Sequence, residues 1–191
     1  MDGDYIGEVV ESSTAEFVAE SRVIHCAPPF GSFVRVPSDV TIFGLVFNVV
    51  TRSIEPNRRP SAYGMTEEEL RYEQPQIFEL LRTEFHAFTV GYSDESKVKQ
   101  ILPPSPPPIH SFVYLCSDEE IRDFTSNYDF LRTLVGNSKT PPDELIIAAV
   151  RNTLRVRGED GRYVVQVGKE LSKLIRDDYD RLSSMLRRIV L

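Results

Sequence analysis

Glu84 and His86 stand two residues apart, so a β-strand places both on one face, where a carboxylate and an imidazole can share a proton or a metal ion. The other two histidines, His25 and His110, stand alone, and no HxxH or HxH spacing supplies a second ligand. Isolated histidines of this kind read as structural residues, so no catalytic or metal-binding residue is assigned. Val167-Gly168-Lys169-Glu170 has the form of the end of a phosphate-binding loop. That loop needs a glycine, four residues and then Gly-Lys-Ser/Thr after a strand. Gly161 lies seven residues before Gly168, and Glu170 stands where the magnesium-binding hydroxyl belongs, so the segment reads as helix surface. There is no GxSxG, no Cys–His signature and no glycine-rich dinucleotide fingerprint. The expectation is a protein that is not an enzyme and carries no cofactor.

Charged side chains point to association instead. Arg52, Arg58 and Arg59 open a stretch that continues into Glu67, Glu68, Glu69 and Glu73, cations first and anions after. Such a bipolar surface can mate like subunits, or it can close on itself as solvated ion pairs worth little each. Arginine outnumbers lysine seventeen to five, and the guanidinium is the better interface group. A second basic set, Arg151, Arg155 and Arg157, lies near an expected helix end, where it either complements the helix dipole or approaches nucleic acid. Residues 1–109 hold the whole net charge of −7, whereas residues 110–191 are balanced. The first part is therefore a poor binder of phosphate backbones.

The elements that must position these groups can be read from periodicity and turn chemistry. Strand patterns cover 5–12, 15–21, 32–36, 41–51, 84–92 and 97–102, with Gly44 marking a bulge or bend in the longest, nearly all-apolar run. A helical insert interrupts them at 55–82, opened by a Thr66/Glu69 capping box and broken at Pro75. Residues 103–108, PPSPPP, read as a polyproline spacer and mark the expected boundary. Beyond it come an extended segment at 109–116, a helix capped by Ser117 and Glu120, another near 127–135, and one from Pro141 to about residue 155. Residues 162–191 carry helical spacing broken only at Asp178, while 154–167 fits either a helix or a β-hairpin.

No apolar run is long enough to span a bilayer, and the acidic Met1-Asp2-Gly3-Asp4 is not expected to act as a secretory leader. With Cys26 and Cys116 far apart, a cytoplasmic location and two reduced, buried thiols are expected.

Three strand segments carry a resemblance. Gly7-Glu8-Val9-Val10, Gly31-Ser32-Phe33-Val34 and Gly44-Leu45-Val46 resemble the Gly-x-Val-Val, Gly-x-x-Val and Gly-x-Val strands of the HAS-barrel family. That barrel is shared by HerA-type DNA-translocating ATPases and the amino-terminal domains of rotary ATP synthase subunits. The proline run leading through Ile109-His110-Ser111-Phe112-Val113-Tyr114 to a helical tail is similar to stand-alone members. The resemblance implies a six-stranded barrel that helps hold subunits in a ring around a separate motor. Residues 103–191 contain neither Walker motif, so ATP hydrolysis does not carry over.

The expectation is an α+β protein: an N-terminal six-stranded barrel at 1–102 with the insert at 55–82, the linker at 103–108, and a helical domain at 109–191. Its expected role is a non-catalytic assembly or adaptor module, self-associating or docking on a protein partner. The alternative is an accessory factor of a DNA-translocating or DNA-end-processing ATPase, with Arg151, Arg155 and Arg157 nearest nucleic acid.

Overall fold

A computed structural model describes the chain except for residues 1–3, 56, 58, 95, 96, 159, 177 and 191. Its strands are β1 (Gly7–Ser12), β2 (Glu16–Ser21), β3 (Phe33–Val36), β4 (Thr41–Ser53), β5 (Leu81–Asp94), β6 (Lys97–Lys99) and β7 (Phe112–Leu115). Six of them close an antiparallel barrel in the order β2-β1-β7-β3-β4-β5, with β5 returning to β2. The barrel does not end at the proline run. β7, beyond it, lies between β1 and β3 and supplies the sixth stave, whereas β6 only folds back on the far end of β5. The segment reads as extended, but four residues with one inward side chain, Val113, are too short a pattern to show that it belongs to the barrel. The proline run is itself fastened: Pro103 and Pro107 are buried, and the Ser12 hydroxyl donates to the Pro107 carbonyl at 2.6 Å.

Alternation then divides the apolar residues between two cores. Val9, Phe17, Ala19, Val34, Val46, Phe85 and Ala87 fill the barrel with Val113. Phe33, Phe43, Leu45, Phe47, Phe88 and Val90 point outward from β3, β4 and β5 into a second cluster shared with the helices. Residues 42–47 of β4 are all apolar because both faces are covered there, whereas most of the strand from Asn48 on is exposed. The adjacent Val9 and Val10 are explained by a register shift that turns Val10 outward. Gly44 sits beside a second shift, and a Cβ there would stand 2.8 Å from the Phe17 ring, so a filled barrel leaves room only for glycine.

Seven helices complete the described residues: α1 (Glu67–Glu73), α2 (Gln76–Glu79), α3 (Asp118–Phe124), α4 (Phe130–Val135), α5 (Pro142–Arg157), α6 (Gly161–Leu174) and α7 (Tyr179–Val190). α1 and α2 lie between β4 and β5; the other five follow β7. The ambiguous stretch near 154–167 is helix, turn and helix. Gly158 ends α5 at φ 68°, and the Asp160 carboxylate accepts from the Arg162 N–H to open α6. The terminal pattern is two helices rather than one, because Asp178 caps α7 by accepting from the Arg181 N–H at 3.0 Å. Arg181 ties α7 to α5 through Asp143, and Arg188 does so through Glu144. None of the described helices is long and apolar enough to cross a membrane.

Candidate interaction surfaces

The register of β4 on β5 sets Arg52 opposite Arg82 and Val50 opposite Glu84. The Glu84 side chain is 3% exposed, and both of its oxygens are taken, Oε2 by Arg52 and Oε1 by Arg82 at 2.9 Å. Two guanidiniums answer one buried carboxylate, which supplies the partners that burial of a charge demands. His86, two residues on, rests edge-on against the Phe47 ring with centroids 5.9 Å apart. Among the described residues no group of three His, Cys, Asp or Glu side chains is placed to hold a metal ion. On the inner side of the same strands, the Thr51 and Thr83 hydroxyls share a hydrogen bond at 2.8 Å. The His25 N–H donates to Thr83 and fixes the loop after β2.

The excursion from residue 54 to 80 has a different character. α1 opens on a complete capping box. The Thr66 backbone N–H, and then its hydroxyl, hold the Glu69 carboxyl below its ordinary range. Glu67 accepts from Arg71 one turn on, and the Arg71 guanidinium lies 4.2 Å over the Phe78 ring of α2. Neither helix buries a residue, and Tyr72 is 91% exposed. Glu68 and Glu73 have no partner among the described residues. Arg52, Arg59 and Arg82, together with the carboxylate of Glu55, line a cleft of about 510 Å³ at the root of the excursion. Arg58 lies outside the described residues.

The arginine-and-glutamate set is thus only partly one surface. Arg52 is committed to Glu84, while Glu67 and Glu69 are spent within α1. Arg59 at the cleft and Glu68 and Glu73 on the helix are left over. Arg82 belongs to the cleft and was legible only as the residue two before Glu84 on the same strand.

The second basic set also divides. Arg157 donates to the Arg122 carbonyl at 2.6 Å and to the Thr125 hydroxyl at 3.1 Å, and its guanidinium covers the Tyr163 ring. It braces α5 against α3 and α6. Arg151 and Arg155 are exposed.

Of the two thiols expected to be buried, Cys26 is exposed, in the loop between β2 and β3. Cys116 packs against the helical cluster, and desolvation pushes its thiol upward. The outer face of β1 and β7 carries an aromatic pair that the sequence pattern does not reveal. Tyr5 stacks on Phe112 at 4.4 Å, with the Arg22 guanidinium 4.8 Å from the Tyr5 ring. Strands distant in sequence bring these rings together. Compared with known proteins, the chain matches no family model and no curated protein.

Proposed function

We propose that the chain is a non-catalytic assembly module that self-associates, the exposed carboxylates of α1 in one copy meeting the arginine cleft of another. One observation carries the reading: α1 is fully capped yet buries none of its residues. A seven-residue helix is marginal in water by itself, and most helical stability in proteins comes from packing a face. α1 packs on its own fold only in part, through the half-buried Leu70 and the Arg71–Phe78 contact, which leaves most of its surface open to a partner. Glu68 and Glu73 supply free carboxylates, and Arg59, with the spare donors of Arg52 and Arg82, supplies the complement. The resemblance to HAS barrels, whose relatives hold subunits in a ring, supports the same assignment. The filled barrel is consistent with a scaffold that presents its outside.

Light scattering after size exclusion tests it. The expected result is an oligomer that dissociates as salt rises. Glu68→Arg with Glu73→Arg, or Arg59→Glu alone, gives monomer, and mixing the two variants restores association because the reversed charges again oppose. A chain that stays monomeric throughout, or a mixture that fails to re-associate, overturns it.

A further inference from the structure

Five arginines crowd the helical end around α5, and three of them are spent. Arg157 is bonded to Arg122 and Thr125, Arg181 to Asp143, and Arg188 to Glu144. Arg151 and Arg155 are exposed and have no hydrogen bond or ion pair among the described residues. They stand four residues apart on α5 and so share one face, their side chains roughly 6 Å apart at the Cβ atoms. A depression lies on each side of them. One, of about 410 Å³, runs past Ala148 to Arg188 with Phe30 as its far wall. The other, of about 460 Å³, is floored by Leu154, Val164, Ile189 and Val190, the last of them 70% exposed.

We propose that this ledge binds a protein segment in which acidic residues flank an apolar side chain. The carboxylates meet Arg151 and Arg155, and the apolar side chain enters the aliphatic depression. The charge complementarity rests on the guanidiniums of Arg151 and Arg155, unpaired among the described residues, which line both depressions on a half of the chain that carries no net charge. Guanidinium pairs suit carboxylates, which they bind through two parallel N–H donors. An apolar depression bordered by such donors is the arrangement of an anchored interface residue. Nucleic acid fits less well. Phosphate-backbone binding grows with the number of cations engaged, and the two arginines that line both depressions have the Glu144 carboxylate beside them in one. The aliphatic floor also offers no ring on which a base can stack. This site is separate from the α1 surface, so either proposal can fail without the other.

Fluorescence anisotropy with three labelled probes tests it: a short peptide alternating Asp-Glu pairs with Leu, the same peptide with Lys for each acid, and a short oligothymidylate. The acidic peptide is expected to bind the full chain, and Arg151→Ala with Arg155→Ala weakens binding at least tenfold, the loss of one charge-assisted contact or more. Val190→Asp, at an exposed position, weakens it severalfold by spoiling the apolar depression. Glu68→Arg with Glu73→Arg leaves it unchanged, separating this site from self-association. No binding of the acidic peptide, equal binding of the Lys peptide, tighter binding of the oligothymidylate, or unchanged affinity in the double variant overturns the proposal.

Discussion

Helices α1 and α3 begin alike and end in opposite surroundings. Both run seven residues from a complete capping box, Thr66 with Glu69 and Ser117 with Glu120. Both carry three acids in the first turn and one arginine in the last. Yet α3 buries Ile121 and Phe124, while α1 buries nothing. Aligned on their caps, Leu70 stands where Ile121 does, but Glu73 stands where Phe124 does. Caps decide where a helix starts. The apolar pair three residues apart decides whether the rest of the fold holds it.

The sharpest way to break the comparison is to empty the position that separates the two. Phe124 touches the rings of Phe33, Phe43 and Phe130, at centroid distances of 5.8, 5.1 and 5.8 Å. Phe124→Ala is expected to destabilise the chain by about 3–5 kcal/mol through lost burial and the cavity left behind. Tyr72→Ala in α1 is expected to change unfolding by no more than about 0.5 kcal/mol. Urea denaturation of both variants measures the difference. Equal effects would mean that α1 is held as firmly as α3.

Alkali probes the α3 side from another direction. Arg157 bridges α3 to the ring of Tyr163, and burial pushes that phenol up to about 12. A phenol titrating higher in the folded state than its ordinary value near 10 stabilises the fold below that value. The contribution is lost as pH rises from about 10 toward 12 and amounts to about 3 kcal/mol. Tyr163→Phe should remove that step from a plot of unfolding free energy against pH. A wild-type profile flat above pH 10 would show that the phenol is already hydrated.

The caps give a smaller contrast. Ser117→Ala is expected to cost about 1 kcal/mol of global stability, because α3 unfolds with the core. Thr66→Ala removes the same kind of bond but loosens only α1, leaving the denaturation midpoint in place. A midpoint lowered equally by both would join α1 to the cooperative unit.

Much of this was open to reading, and the failures have physical causes. Five of the six barrel staves and both capping boxes follow from alternation, turn residues and S/T-x-x-E spacing, all of which are local. The extended segment at 109–116 was legible, but not that β7 within it joins the barrel, because its pairing with β1 and β3 is set by partners distant in sequence. The split at Asp178 is a cap that reads equally as an interruption of one long helix. The grip of Arg52 and Arg82 on Glu84 depends on cross-strand register, which no single segment encodes. The division of the second basic set was partly legible: Arg151 and Arg155 share a helix face at i, i+4, and Arg157 does not.

Acid gives the finest test of the contrast. The Thr66 N–H and hydroxyl hold the Glu69 carboxyl below its ordinary value, so the cap stabilises α1 at pH above that value. The contribution disappears as pH falls through the lowered value, when the carboxylate takes a proton and ceases to be a charged acceptor. α1 lies outside the packed core, so its loss should be local. The 13Cα shifts of residues 67–73 should drift toward coil values in acid while those of 118–124 hold. Glu69→Gln keeps a neutral acceptor and should flatten the drift without unfolding the helix at neutral pH. If instead both helices lost their shifts together, α1 would belong to the same cooperative unit as α3, and its bare surface would not by itself imply a partner.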